Sequence, residues 1–390
     1  MGQAQGAEVT PRVRALVLID AFRMGGAETL LAPMIVASRN TDVQMDVVSV
    51  LSEEPNSDKT MNILAEAGIP TRSLGVRRTL DPLGVPRLAG VIRHGGYDVV
   101  HAHLELAMTL AVPAAALARR PAVCTFHHVM RPLTGRAAGR ERLAVEVATR
   151  SRRVLFVSEA SRHSFQEAYR PRRMPGNWDV MHNGIDIGNF TPGEGDPAVR
   201  AQLSGGRTCT LVVLSAAFRD FKGIPVAIKA WPAVLQRFPD AVLSLVGGGE
   251  LENELRRLVG DLGLADSVVF AGVHTDMPEV YRAADAVLLP SLYGENLPTV
   301  LIEASATSRA VAASRIGGIP DIVLDNETGL LFDSGSEQGL ADAVCRLLAD
   351  ADLRQRLGAA ARDRARDEFS STAWVGRLRS TYLELMGERP

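Results

Sequence analysis

The sequence is poor in cysteine and carries no surplus of either charge. Its three cysteines, Cys124, Cys209 and Cys345, are scattered along 390 residues. They are too few and too far apart for a disulfide framework or a cysteine metal site, which favours a reducing cytoplasm. The formal net charge is −2, so the overall charge does not point to nucleic acid as a partner.

Long hydrophobic runs are also missing. The apolar run from Val13 to Ile19 is too short for a signal peptide, and no stretch of the sequence reaches the roughly 20 residues that a membrane-spanning helix needs. A hydrophobic content of 46% and a charged content of 23% are typical of a globular protein. We expect a cytoplasmic protein, with a peripheral contact to the inner membrane face as an open alternative.

Short apolar strands alternate with helical segments along the chain, which is the pattern of a doubly wound parallel sheet. Glycine and proline concentrate in residues 183–207, which we interpret as an interdomain connection. The sequence therefore predicts an α/β protein with two tandem Rossmann-like domains, 1–187 and 188–371. Ligands of such sheets bind at the carboxyl ends of the strands, so we expect an active-site cleft between the domains.

Residues 285–305 carry the most informative pattern. Ala286–Leu289 predicts a short buried strand and Thr299–Ala306 a helix, with a glycine-containing loop between them. Pro298 is expected to be the first helical residue, because a helix has no partner for the N–H that proline lacks.

Two carboxylates flank the start of this helix. Glu295 lies in the loop and Glu303 inside the helix, and the helix amino terminus between them is a natural seat for phosphate. This layout suits a nucleotide-sugar, because a diphosphate can take the helix amides while each carboxylate accepts hydrogen bonds from a hydroxyl-rich ring. A surface acid beside a helical salt bridge is the plainer alternative.

Other polar residues also follow predicted strands. Lys222, with Arg219 three residues before it, would place a cation where charge develops on a departing diphosphate. The glycine turns at Gly25, Gly26 and Gly247–Gly249 fit a close approach of the backbone to a phosphate or sugar.

Four histidines, His101, His103, His127 and His128, lie near two predicted strand ends. A metal site made by them is disfavoured, because no carboxylate or cysteine completes a set with suitable spacing. We expect instead that His127 orients a sugar hydroxyl.

Together these motifs resemble glycosyltransferase family 4, whose members have the two-domain GT-B fold. The resemblance covers nearly the whole chain, is strongest from about 208 to 333, and depends most on the Glu-x₇-Glu element from Glu295 to Glu303. The supporting motifs are Gly25-Gly26-Ala27-Glu28, His101-Ala102-His103, Thr125-Phe126-His127, Val157-Ser158, His182-Asn183-Gly184-Ile185-Asp186, Lys222-Gly223, Val246-Gly247-Gly248-Gly249 and Gly317-Gly318-Ile319-Pro320.

The resemblance implies a retaining, metal-independent hexosyl transfer from a nucleotide-diphosphate sugar, with a UDP-sugar as the expected donor and no cofactor. It also implies a last helix, 372–390, that crosses back to the first domain. Glu303 would hold the ribose hydroxyls, Glu295 the donor sugar and Lys222 the diphosphate. The expected catalytic residues are His127, Glu295, Lys222 and Arg219, and the expected donor-binding residues are Gly25, Gly26, Gly248, His274, Asn296, Leu297, Pro298, Thr299, Val300 and Glu303.

One departure concerns the diphosphate. Family members usually carry an arginine five residues before the lysine, where this chain has Ala217. Either Arg219 supplies the guanidinium from a shifted position, or the diphosphate is held less tightly. Two alternative functions stay open: a nucleotide-sugar epimerase of the same fold, and a catalytically silent nucleotide-sugar-binding partner protein.

The acceptor cannot be assigned from the sequence. Residues 119–173 hold thirteen arginines and four acidic residues, which indicates an anionic partner such as membrane headgroups or a phosphorylated acceptor. Solvated helix faces are the plainer alternative. The acceptor classes that fit are lipid-linked glycan precursors, envelope polysaccharides and soluble secondary metabolites.

Overall fold

A computed structural model describes residues 12–23, 25–52, 58–76, 81–129, 134–169 and 175–387. The chain forms two compact units. The first comprises Met1–Ile185 together with Ser371–Pro390, and the second comprises Asp186–Ser370. Among the described residues, no helix is both long and apolar enough to cross a membrane.

Each unit is built on a parallel sheet. The strands in the described residues are β1 (Val13–Ile19), β2 (Val43–Leu51), β3 (Thr71–Val76), β4 (Val99–His103), β5 (Ala122–Phe126), β6 (Arg153–Phe156), β7 (Trp178–Val180), β8 (Thr210–Ser215), β9 (Ala241–Val246), β10 (Val268–Gly272), β11 (Ala286–Leu289), β12 (Val311–Ser314) and β13 (Leu330–Phe332). Their order is β3-β2-β1-β4-β5-β6-β7 in the first unit and β10-β9-β8-β11-β12-β13 in the second.

Helices connect successive strands and cover the sheets. They are α1 (Leu31–Ser38), α2 (Asp58–Glu66), α3 (Gly84–His94), α4 (Glu105–Ala118), α5 (Gly135–Ala148), α6 (Glu159–Tyr169), α7 (Pro197–Ser204), α8 (Ile224–Arg237), α9 (Glu252–Asp261), α10 (Met277–Ala283), α11 (Thr299–Ala306), α12 (Ile319–Ile322), α13 (Glu337–Ala349), α14 (Ala351–Phe369) and α15 (Ser371–Gly387). Short 3₁₀ turns precede α1 and α8.

The central strands are buried along their whole length. Every residue of β4, β5, β9 and β11 is inaccessible to solvent. A parallel sheet covered by helices on both faces requires this, and it explains why these strands are continuous apolar runs in the sequence. The predicted bounds of β11, Ala286–Leu289, are confirmed to the residue.

The last helix, α15, belongs to the first unit. Trp374, Leu378 and Tyr382 on α15 are buried, and Arg379 forms an ion pair with Asp42. These contacts hold the carboxyl-terminal segment against the unit formed by the first half of the chain.

Strand β3 and helix α7 were not predicted. The edge strand β3 has only two buried residues, Leu74 and Val76, so its sequence lacks a strong apolar signal. Helix α7 lies inside the segment interpreted as a connection, and that interpretation is wrong for residues 197–204. Asp196 caps α7 by accepting from the Ala198 N–H at 2.7 Å, and Gly205 ends it with φ +63°.

The expected place of Pro298 is also corrected. Its ψ of 111° is extended, so it is the residue before α11, and Thr299 is the first helical residue. The quoted motif Gly317-Gly318-Ile319-Pro320 leads into the four-residue helix α12, which was not predicted either.

Candidate functional site

The loops that follow β8, β9, β10, β11 and β12 leave the same edge of the second unit's sheet, because the strands are parallel. Two glycines let these loops approach one another closely. A Cβ on Gly223 (φ +65°) would overlap the carbonyl of Pro290, and one on Gly317 (φ +52°) would overlap that of Glu295. Only glycine fits this backbone conformation and this spacing.

Lys222 and Glu295 form a buried ion pair at this edge. Lys222 Nζ lies 2.5 Å from Oε1 of Glu295, and their side chains are 17% and 7% exposed. Ser291 Oγ donates to the same oxygen at 2.6 Å. Two donors therefore fix the Glu295 carboxylate, and Glu295 fixes the lysine ammonium. The pair presents a cation and hydroxyl-accepting oxygens side by side, as a phosphorylated sugar requires.

Helix α11 begins at Thr299, four residues after Glu295 in the sequence. Among the described residues, no side chain caps it. The Leu301 N–H donates to the Pro298 carbonyl at 3.2 Å, and the N–H groups ahead of it have no carbonyl partner within the helix. Asn296, Leu297, Thr299 and Val300 are partly exposed here. Such an end is suited to an anion.

Glu303 lies one turn into α11 and is held by a tyrosine. Tyr281 Oη donates to Oε2 of Glu303 at 2.9 Å. Burial raises the pKa of Glu303, and it raises the pKa of Tyr281 well above the usual range of a phenol, so the Tyr281 hydroxyl stays a donor. The other carboxylate oxygen of Glu303 can accept from a ligand hydroxyl.

Three predicted residues lie in neighbouring loops of the same unit. Gly248 lies between two glycines with positive φ and accepts the Phe218 N–H at 2.9 Å. His274 is partly exposed after β10. Arg219 is exposed, and its side chain makes no hydrogen bond or ion pair within the described part of the chain. The structure therefore brings Lys222 and Glu295 together, and it does not attach Arg219 to them.

In the first unit, His127 belongs to a chain of neutral groups. Asn183 Nδ2 donates to Nδ1 of His127 at 3.2 Å, and Nε2 of His127 lies 2.7 Å from Nδ1 of His103. Burial, helped by the neighbouring imidazoles, lowers the pKa of His127 and of His103 well below the usual range. Both ring nitrogens of His127 are thus engaged by protein groups.

His101 packs against His103 and is itself held by two hydrogen-bonding side chains. Its Nδ1 lies 2.6 Å from Tyr382 Oη and its Nε2 lies 2.7 Å from Thr125 Oγ1. Its ring centroid is 4.3 Å from that of His103. Burial lowers the pKa of His101 to about 3. Helix α15 therefore supports the histidines through Tyr382.

The turn after β1 contains Gly25 and Gly26. The Thr29 N–H donates to the Gly25 carbonyl at 3.1 Å and the Thr29 hydroxyl to the Gly26 carbonyl at 3.1 Å. Nearby along the chain, Asp20 accepts the Ala107 N–H at 2.7 Å.

Sequence reasoning missed several residues of these sites. Ser291, Tyr281 and Asn183 hydrogen-bond to the predicted residues Glu295, Glu303 and His127. Asp20 instead holds the start of α4. Ser291, Tyr281 and Asp20 belong to none of the quoted motifs. Of these, Asn183 had a usable signal, because it lies in the quoted His182–Asp186 motif.

The comparisons with known proteins agree with this arrangement. The family model described as Glycosyltransferase Family 4 matches residues 24–189, and the model described as Glycosyl transferases group 1 matches residues 200–364. The chain is a family 4 glycosyltransferase. Each model matches one of the two units. Together they include every catalytic and donor-binding residue predicted from the sequence.

Curated relatives of this glycosyltransferase act on inositol-containing molecules, according to their names. A GDP-mannose-dependent alpha-(1-6)-phosphatidylinositol monomannoside mannosyltransferase of Mycobacterium tuberculosis is 35% identical over 65% of this chain and 69% of its own. A D-inositol 3-phosphate glycosyltransferase of Salinispora tropica is 30% identical over 78% of this chain and 67% of its own.

Solved structures confirm the fold of the glycosyltransferase. The Anabaena protein HepE in complex with UDP superposes with a TM-score of 0.80 at 24% identity, over 95% of this chain and all of that one. A glycosyltransferase from Rickettsia africae gives 0.80 at 18% identity, over 97% of this chain and 100% of that one. The predicted GT-B architecture of two parallel-sheet α/β units is thereby confirmed.

Proposed function

We propose that this glycosyltransferase moves a hexosyl group, with retention of configuration, from a nucleoside-diphosphate sugar to an acceptor hydroxyl. The observation that carries the proposal is the buried Lys222–Glu295 pair, with Lys222 Nζ 2.5 Å from the carboxylate, in the unit that also holds Glu303 and the uncapped start of α11. A diphosphate matches Lys222 and the helix amides, whereas hydroxyl groups match the two carboxylates.

The chemistry follows from where charge develops. As the sugar–phosphate bond breaks, negative charge grows on the leaving diphosphate, and Lys222 with the α11 amides would stabilise it. Glu295 would hold the sugar hydroxyls and Glu303 the ribose. The departing phosphate would accept the proton of the acceptor hydroxyl on the same face, which yields retention without a metal or cofactor.

The donor is the finer part of this proposal. The name of the mycobacterial relative supports GDP-mannose, and the complex of HepE with UDP-glucose supports the UDP-sugar expected from the sequence. We propose GDP-mannose as the first donor to assay and UDP-glucose as the second.

For the acceptor we propose a phosphorylated inositol, free or in a lipid. Relatives of both kinds carry inositol in their names, and inositol hydroxyls are reasonable nucleophiles for this transfer. A lipid-linked acceptor would require contact with an anionic membrane.

The arginine-rich segment offers a surface for that contact. Arg119, Arg120, Arg150 and Arg152 line one cavity of about 730 Å³, with Leu385 on its wall. These arginines precede β5 and β6, at the amino edge of the first sheet. Arg150 pairs with Glu146, and Arg162 elsewhere in the segment pairs with Glu159. Arg131, Arg170, Arg172 and Arg173 lie outside the described residues.

The test incubates the purified enzyme with GDP-mannose or UDP-glucose, with and without inositol 3-phosphate or phosphatidylinositol vesicles. Free nucleoside diphosphate should appear only when an acceptor is present, and NMR of the product should show the anomeric configuration of the donor. Nucleotide release without acceptor, together with an altered hexose, would favour an epimerase. Donor binding by calorimetry with no product in any mixture would favour a silent binding protein.

A further inference from the structure

Three side chains from separate elements of the first unit converge on one point. Glu105 is the first residue of α4, His128 follows β5, and Glu141 lies on α5. Their ligand-capable atoms all lie within 4.8 Å of one another. No sequence spacing links the three residues, so the sequence analysis could not combine His128 with a carboxylate.

The distances within this cluster differ from those of hydrogen bonds. Nε2 of His128 lies 3.5 Å from Oε1 of Glu105 and 3.5 Å from Oε2 of Glu141. A hydrogen bond between an imidazolium and a carboxylate would bring these atoms to about 2.8 Å. A tetrahedral ion with bonds of about 2.1 Å holds neighbouring ligand atoms about 3.4 Å apart. The two separations from His128 match the second geometry.

Glu141 is the buried member and points into the cluster. Its side chain is 5% exposed, and Tyr169 Oη donates to its Oε1 at 2.7 Å. Its other oxygen, Oε2, faces His128. This arrangement is that of a ligand carboxylate with an outer hydrogen bond that fixes its orientation. A carboxylate so far from water needs a positive charge close to it.

His128 is also oriented before any ion binds. Its ring meets those of Phe165 and Phe126 edge to face, with centroids 5.3 and 6.3 Å away. The side chains of His128 and Glu105 are 27% and 34% exposed, so an ion can enter from their side. One imidazole and two carboxylates form a ligand set that suits a divalent transition ion, and three protein ligands leave a position for water.

We propose that Glu105, His128 and Glu141 bind one divalent transition-metal ion, with Zn²⁺ as the matching probe. The site goes beyond the proposed transfer reaction and supplies none of its steps. Its ligands tie the start of α4, the segment after β5 and α5 together, and His128 directly follows His127. The ion would therefore stiffen the segment that carries His127.

Zinc binding is measured on untagged enzyme after dialysis against a chelator. Calorimetry should show one Zn²⁺ per chain with micromolar or tighter affinity, and the midpoint of thermal unfolding should rise with zinc. Replacement of zinc by Co²⁺ should give the visible absorption of a four-coordinate ion with N/O ligands. Absence of binding, or an octahedral Co²⁺ spectrum, would overturn the proposal.

Variants locate the ion. His128→Gln and Glu105→Gln should abolish zinc binding, and Tyr169→Phe should weaken it about tenfold. Glu146→Gln on the same helix, a residue in an exposed ion pair with Arg150, should bind as the wild type does. His163→Gln controls for the exposed His163–Glu167 pair on α6. If His128→Gln and Glu105→Gln fold by circular dichroism and still bind zinc with wild-type affinity, the ion lies elsewhere.

Glu141→Gln tests the buried ligand, but it changes a side chain of the core. If Glu141→Gln fails to fold, Glu105→Gln tests the site instead, because the Glu105 side chain is one-third exposed at the start of α4. Donor binding by calorimetry is measured in parallel and should be unchanged in every variant. A protein that binds donor but no zinc refutes only the metal site, and one that binds zinc but transfers no sugar refutes only the proposed function.

Discussion

The carboxyl edges of the two sheets differ in charge. At the carboxyl edge of the second sheet, full charges meet in a buried ion pair, Lys222 with Glu295. At the carboxyl edge of the first sheet, His103 and His127 are held neutral by burial, which lowers the pKa of each. The fold is shared, so the difference comes from the side chains that follow each strand.

This difference teaches which ligand part each unit suits. A fixed cation beside helix amides favours a group that carries charge, such as a diphosphate. Both ring nitrogens of His127 are already engaged by protein groups, so the neutral imidazoles of the first unit do not attract a charged group. The two units therefore differ in electrostatics, and on the proposed function only the second would take the charged diphosphate.

The largest effect is expected from Lys222→Ala. It removes the cation that would meet the leaving diphosphate, so kcat/KM should fall by about 10²–10³. It also leaves Glu295 buried and unpaired, which should lower the free energy of unfolding by about 3 kcal/mol. Steady-state kinetics and urea unfolding check both. Lys229→Ala, on the exposed face of α8, should change neither quantity. Normal activity of Lys222→Ala would contradict the proposed role of the second unit in binding the diphosphate.

Asp20→Asn should change how stability depends on pH. Burial raises the pKa of Asp20 from 3.8 to about 7 in the folded protein. Its stabilising contribution is therefore complete below pH 3.8 and is lost as the pH rises through about 7. Relative to Asp20→Asn, the wild type should lose about 2.5 kcal/mol of unfolding free energy between pH 5 and 8.

Urea unfolding at several pH values measures this difference. Asp266→Asn is the control, because the Asp266 side chain is 98% exposed and its removal should leave the pH profile unchanged. Parallel pH profiles of the wild type and Asp20→Asn would show that Asp20 titrates normally.

Tyr281→Phe should have a smaller effect, confined to the donor. It removes the 2.9 Å hydrogen bond that holds Glu303, so the KM for the donor should rise about fivefold, roughly 1 kcal/mol, with little change in kcat. Tyr97→Phe is the matched control, since Tyr97 also donates to a carboxylate, Asp46, at 2.8 Å in the first unit. An equal loss in kcat would assign Tyr281 to the chemical step instead.

The smallest effect is expected from Arg219→Ala. The sequence alone predicts a strong loss of turnover, but the Arg219 side chain is exposed. An exposed charge contributes at most about 1 kcal/mol, so kcat/KM should fall less than fivefold. Arg257→Ala, exposed on α9, sets the baseline. A loss as large as that of Lys222→Ala would mean that Arg219 reaches the diphosphate in the complex and fills the role left open by Ala217.

Much of the fold could be predicted because buried parallel strands leave an unmistakable pattern. The β11–α11 unit was predicted to within one residue, since Ala286–Leu289 is apolar throughout and Pro298 marks the helix start. Elements at edges were harder. Strand β3 is exposed on one side, so solvent contact weakens its apolar pattern. Helix α7 was missed because Pro197 and Gly205 were interpreted as connection residues, whereas they mark the two ends of that helix.

The sequence by itself determined the family, the two-sheet architecture and the residues placed at strand ends, because strand burial and loop motifs are local properties. Only the tertiary structure decided which of those residues touch. Lys222 meets Glu295 across 73 positions, His101 meets Tyr382 across 281, and Glu105, His128 and Glu141 converge from three elements. Such contacts depend on strand order in the sheet, and no spacing in the sequence encodes them.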